Sequence, residues 1–379
     1  MPTRSEATLA SKMLSPIDAQ DFSTIDNPTP VAVLQQMYPL LDWETHIQAA
    51  GGLADGSTIV INSEVELLNN LEQIVTTTPI ETIKDYLKLQ ELIIAADYLS
   101  DDFRQAMSTL YSAMYGVASS DDVAVDALNS VNAFLPDALG RAYAETYFSP
   151  EARAQVEELV ANLKEAFEYR LQHNTWMSDV TKLQAIRKLQ AMTVKVGYPD
   201  EWQSYDSFTL GDSYWATAAN AMAMQTRMAM ASAGLPIDPN QWSMSPQTVN
   251  AGYNPTSNDI TFPAAILQPP FFDPDADLAS NYGAIGYVIG HEITHAFDLQ
   301  GAQFDLHGNY ADWWTASDED AFNIRNEAVV EAYGNFEVLP DLFIDGQLTV
   351  TENVADIWAV CKPRMTHCNL RSIERATRA

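Results

Sequence analysis

Residues 286–298 read GYVIGHEITHAFD, with His291 and His295 four apart and Glu292 directly after the first. On a helix, residues at i and i+4 share a face, so the two imidazoles can be directed at one metal ion, most readily zinc. Glu292 stands beside that face. A carboxylate there can take a proton from water that the metal activates, without itself being a ligand. The pattern H-E-x-x-H arises by chance in roughly 1% of chains this long, so it is good evidence that still needs a third ligand. Catalytic zinc takes three protein ligands and keeps a fourth position open. In LTVTENVADIWAV (348–360), Glu352 and Asp356 are again four apart on one helical face. One can face the metal while the other accepts the free ring N–H of a ligating histidine and fixes its tautomer.

These groups require helices beneath them. Ile285, Val288, Ile289 and Ala296 repeat on one face of 281–298, with Asn281 as the candidate N-cap. Upstream, residues 246–274 hold β-type residues around NPTSND and predict a hairpin, TVNAGY then ITFPA. Residues 20–205 predict helix nearly throughout. Within them, SPEARAQVEELVANLKEAFEYRLQH has Ser149 to cap the first amides and Pro150 suited to the first helical position. The segment SDVTKLQAIRKLQAMTVKVG predicts a further helix. Four methionines in ANAMAMQTRMAMASAG (219–234) read as adaptable core packing rather than a metal site.

Composition narrows the partners. The 379 residues carry a formal net charge of −31, which repels phosphate backbones and makes nucleic acid and anionic membrane poor partners. The apolar fraction of 47% suits a globular protein, and no window approaches the ~20 apolar residues that span a bilayer. The opening MPTRSEATLASKMLSP lacks the apolar stretch of a secretory leader. Both cysteines, Cys361 and Cys368, lie in the last 19 residues, so no disulfide framework holds the body. That same tail reverses the charge, with Lys362, Arg364, Arg371, Arg375 and Arg378 against Glu374 alone.

Together VNAGYNPTSNDITFPAAILQPPFFD, GAIGYVIGHEITHAFDLQGAQFDLHGNYADWWT and DGQLTVTENVADI resemble the neprilysin-type family of zinc endopeptidases in its bacterial form. The likeness runs from about residue 20 to 358 in the family's order and spacing. It implies a mainly α fold with a small β-sheet. A thermolysin-like zinc catalytic domain (209–358) would be joined to a helical non-catalytic domain (20–208), flanked by a flexible N-terminus (1–19) and an aberrant tail (359–379). It further implies one zinc ion on His291, His295 and Glu352, with Glu292 as general base and Asp356 orienting His291. Asn250 and Ala251 match positions that hydrogen-bond a peptide substrate as an added strand. Where the family carries an aromatic residue after that pair, this chain has Gly252. Asp312–Trp314 (DWW) reads as packing.

The family continues past its E-N-x-A-D helix into a segment supplying an oxyanion-binding His and a substrate-binding Arg. After Ile357 this chain departs from that pattern, and His367 and Arg364 lack matching flanks. The expectation is an incomplete chain, shifted out of frame near residue 358, that holds zinc yet turns over weakly or not at all. Loss of an oxyanion donor alone costs about 10²–10³ in rate. The alternative is a non-catalytic zinc- and peptide-binding protein; an aminopeptidase would need an acidic cluster for a free amine beside the strand. The resemblance is consistent with a bacterial, extracytoplasmic protein but does not fix the compartment or the oligomeric state.

Overall fold

Ser149 and Pro150 behave as their types dictate. Helix α1, Pro150–Gln172, begins with the Ser149 side chain accepting from the Ala152 N–H, and it buries Val156, Leu159, Val160 and Phe167 along one stripe. Helix α2, Asp179–Ala191, is capped in the same way by Ser178. The expected helix through TVKVG stops there, because Thr193–Gly197 forms strand β1. Thr193, Val194 and Val196 are β-branched, and their pairing partner lies far along the chain, where local periodicity cannot reveal it.

That partner belongs to the expected hairpin. Strand β2, Gly252–Asn254, runs antiparallel to β3, Asp259–Pro263, with Tyr253 opposite Ile260. β1 then adds parallel to β3, Thr193 opposite Asp259, giving the order β1-β3-β2. β3 is buried along its whole length, as a central strand covered on both faces must be. β2 is an edge. It is also shorter than expected, since 248–251 lead into the strand without joining it.

The metal-motif segment is two helices rather than one. α3, Leu278–Gly283, is capped by Asp277, and α4, Ile285–His295, follows after Ala284. Asn281 is therefore no N-cap. It is buried inside α3, its side chain binding the Asp273 backbone N–H at 3.1 Å and carbonyl at 2.8 Å. Further helices are α5, Ala316–Gly334, capped by Thr315, and α6, Val350–Val360. Asp318 of α5 accepts from Ser178 N, Thr181 Oγ1 and Thr315 Oγ1 at 2.9, 2.6 and 2.7 Å, which ties the heads of α2 and α5 together.

α4 runs through the middle of the core. Ile285, Ile289 and Ile293 are fully buried in the same cluster as Ile260 and Phe262 of β3 and Val156, Val160 and Phe167 of α1. Each such side chain contributes roughly 1.5–3 kcal/mol by leaving water. The helix is thus immobilised along the face opposite its histidines. Trp314 packs as expected for DWW, stacked on Trp176 and Phe322 with Nε1 donating to Ala302 O at 3.1 Å.

The structure, a computed structural model, describes residues 12–116 and 123–360. Those residues fold as two units, divided differently from the boundary near 208 drawn from sequence. One is built on Ser23–Pro136 and Gln203–Pro236; the other on Gln20–Phe22, Asp137–Trp202 and everything described from Ile237 onward. The difference has a physical cause: α1, α2 and β1 share a core and a sheet with α4 and β3. The first unit is a helical array, including Val65–Thr77, Ile80–Ala95, Asp101–Tyr115 and Tyr214–Ser232, with a two-stranded ribbon of Pro28–Pro30 on Ile59–Ile61. Its core joins Phe134, Ala218 and Ala221, with Met222 packed against them, and Met224 is also buried. The methionine-rich helix therefore packs as expected. Of the expected flexible N-terminus, residues 1–11 lie outside the described residues, while Leu14 N donates to Glu64 at 3.1 Å. The expected aberrant tail lies outside them from residue 361. Among the described residues no helix is long and apolar enough to cross a membrane.

Candidate metal centre

α4 presents His291 and His295 on one face, and α6 packs beside it with Glu352 and Asp356. The two Nε2 atoms are 2.9 Å apart. Glu352 Oε2 lies 3.3 Å from that of His291 and 3.7 Å from that of His295. A tetrahedral ion with bonds of about 2.0–2.1 Å separates its ligand atoms by roughly 3.3 Å, so the three donors lie near the corners such an ion needs.

The far side of each ring explains why the donors point this way. His291 Nδ1 lies 2.8 Å from Asp356 Oδ1, and His295 Nδ1 lies 2.6 Å from Asp298 Oδ2. A carboxylate only accepts, so each Nδ1 carries the proton and each Nε2 turns a lone pair toward the other and toward Glu352. Three electron-pair donors facing one another demand a cation between them. In the metal-free chain that cation is a proton. The hydrogen bond with Glu352, helped by Glu292 and Asp356 and opposed by burial, pushes His291 up to about 9. Burial opposes charging His295, but Asp298, Glu292 and Glu352 outweigh it and raise its pKa as well. The bond from His291 holds the Glu352 carboxyl below its ordinary value.

Glu292 does not join this set. It is buried, which raises its carboxyl pKa, while the two histidines and, least of all, the nearby Tyr253 backbone N–H on β2 pull it back. Tyr287, one turn before His291, donates to Asp356 Oδ1 at 2.5 Å, so that carboxylate oxygen serves both side chains. The rings of His291 and His295 are mostly covered, whereas Glu352 keeps 66% of its side chain in solvent, so the centre is approached from the Glu352 side.

The structure thus brings together five of the residues singled out from sequence: His291, Glu292, His295, Glu352 and Asp356. The other two, Asn250 and Ala251, immediately precede β2, with Asn250 exposed and Ala251 buried. Asp298 was missed. Its spacing of three from His295 in HAFD was the available signal, because i and i+3 also meet on a helical turn. Lys188, buried behind the Asp298 turn, left no sequence signal at all.

Residues 3–199 and 250–363 match the two sequence profiles described as peptidase family M13. The chain belongs to peptidase family M13. Its M13 relatives include a neutral endopeptidase of Lactobacillus helveticus, 33% identical over 89% of this chain and 52% of that protein. Among solved structures, PepO from Lactobacillus rhamnosis superposes with a TM-score of 0.87 at 32% identity, covering 94% of this chain and 56% of that one. A zinc metalloprotease of Mycobacterium tuberculosis gives the same TM-score and identity over 99% and 57%. The M13 chain therefore has the mostly helical, thermolysin-like fold with small sheets of these neighbours, and it spans about half the length of the relatives it matches.

Proposed function

We propose that this chain carries the metal-binding core of a zinc-dependent endopeptidase acting on peptides. His291, His295 and Glu352 hold one zinc ion, Glu292 is the general base, and Asp356 and Asp298 orient the two imidazoles. The observation that carries this reading is the convergence of three lone-pair donors, two of them imidazoles whose Nδ1 protons are committed to Asp356 and Asp298. M13 membership and the neighbouring zinc metalloprotease support the choice of metal.

Bound zinc supplies the Lewis acidity that polarises a peptide carbonyl and makes water acidic near neutral pH. Glu292 supplies the base. Its carboxylate is buried beside the histidines and raised in pKa, so it can accept a proton from the attacking water and return it to the departing amine. β2 supplies the rail. Among the described strands it pairs only with β3, so its outer edge can hydrogen-bond an extended peptide led in by Asn250 and Ala251. The missing aromatic at Gly252 leaves that wall to Met244, whose Cε lies 3.1 Å from where a Cβ would stand.

The test is hydrolysis of an internally quenched peptide by the zinc-loaded chain, with Glu292→Gln as the comparison. Cleavage that disappears in the variant supports the reading. Equal cleavage by both would remove Glu292 from the role of base. No cleavage by either, from folded and zinc-bound protein, would leave a zinc- and peptide-binding protein.

A further inference from the structure

Lys188 on α2 has only 1% of its surface exposed. Its Nζ donates to Gly301 O at 2.6 Å and Phe304 O at 2.7 Å, and the rings of Tyr253, Phe297 and Trp313 surround it at 5.8, 6.0 and 5.8 Å. Burying an amine this deeply disfavours its charged form: burial pushes Lys188 down to about 7, against the pull of Asp298 and Asp305. An apolar side chain would fill the same volume without that cost. What the amine adds is two directed hydrogen bonds.

The carbonyls it holds belong to the turn that follows the metal helix. That turn aims the Gln300 and Gly301 N–H groups at Asp298 Oδ1, at 2.9 and 2.8 Å, and the Ala302 N–H at Asp298 O, at 2.8 Å. Oδ2 is left for His295 Nδ1. The turn also lies hard against the end of α4, since a Cβ on Gly301 would sit 1.9 Å from His295 O. A shift of the turn would therefore move the carboxylate and the end of the helix together.

We propose that Lys188 is a positioning residue of the metal centre: through Gly301 and Phe304 it locks the 298–304 turn, and that turn holds the Asp298 carboxylate on His295 Nδ1. The amine does this charged or neutral, because either form has the two hydrogens that the carbonyls accept. The inference rests on the metal-site reading above. A lysine that merely fills space would affect stability and leave metal affinity alone.

Lys188→Met keeps the length and removes both donors. Zinc affinity would be measured by competition with a chromophoric chelator, well below the unfolding temperature, together with the visible absorption of the cobalt-substituted protein. Zinc is expected to bind about tenfold more weakly, at the lower end of what outer partners of ligands contribute, with a changed cobalt spectrum. In an Asp298→Asn background the same substitution should add less than about threefold, because both act through one carboxylate. Lys188→Gln retains a single donor and should fall between parent and Lys188→Met. It carries the comparison if the methionine variant does not fold. Folded variants that bind zinc within about twofold of the parent, or effects that multiply fully with Asp298→Asn, would overturn the proposal. A parent chain that binds no zinc would instead overturn the metal-centre reading, a result visible before any variant is compared.

Discussion

His295 Nδ1–H donates to Asp298 Oδ2 across 2.6 Å, and the accepting side chain is 2% exposed. The corresponding partner of His291, Asp356, keeps 48% of its side chain in solvent. A charge–dipole contact shielded from water is stronger than one beside it. Neutralising either carboxylate should weaken zinc by about 10–100-fold, with Asp298→Asn costing more than Asp356→Asn. Chelator competition on the two variants checks the order; equal affinities would contradict it.

Zinc affinity should depend on pH in a stated direction. In the metal-free chain His291 is pushed up to about 9, chiefly by its bond with Glu352. Zinc needs the unprotonated ring, so below that value binding must displace a proton. Affinity should then fall at least about tenfold for each unit of acidification, since His295 is raised as well, and level off above about pH 9. The zinc dissociation constant followed from about pH 7 to about pH 10 tests this, and a flat profile across the lower half would refute it.

Lys188 should make stability rise with pH, the same sign as a salt-bridged carboxylate but in an alkaline window. Its folded pKa of about 7 lies below the ordinary 10.5. Between those values the unfolded chain binds a proton that the native chain does not, so stability rises with pH there, by at most about 1.4 kcal/mol per unit. Below the window the contribution is constant. Urea unfolding of the parent minus that of Lys188→Met should show this rise from about pH 7.5 to about pH 9.5.

Gly301 is required by a close approach rather than by a special backbone angle. A Cβ there would lie 1.9 Å from His295 O and 2.8 Å from Ala296 C, both main-chain atoms that cannot swing aside. Gly301→Ala should destabilise by the upper part of about 1–3 kcal/mol, or more, and weaken zinc as well. Gly334→Ala, with nothing within 4 Å of the added carbon, serves as the neutral comparison in the same thermal unfolding experiment.

How far the sequence reads through to this site depends on the range of each interaction. His291, Glu292 and His295 lie within one helical turn, and Glu352 and Asp356 within another, so local spacing revealed both sets. The Ser149 cap was legible for the same reason, since its bond reaches only to Ala152. TVKVG was absorbed into the preceding helix because β1 is defined by β3, not by its own neighbours. Asn281 looked like a cap by type, but it is buried and satisfied by Asp273, while Asp277 takes the capping place. The domain boundary moved for a related reason: burial in one core, not proximity in sequence, joins α1 and α2 to α4. Lys188 meets its partners more than a hundred positions downstream.

The parallel pairing of Thr193 with Asp259 has a consequence for how the protein is made. Between those strands the chain leaves to build Gln203–Pro236 into the other unit and then returns. A ribosome adding roughly 5–20 residues per second needs several seconds to go from one strand to the other. Throughout that interval β1 has an unpaired edge, and the histidine helix has not yet been synthesised. No single cut in the chain would release either unit whole, and the metal-holding half can close only after its neighbour's last contribution has emerged.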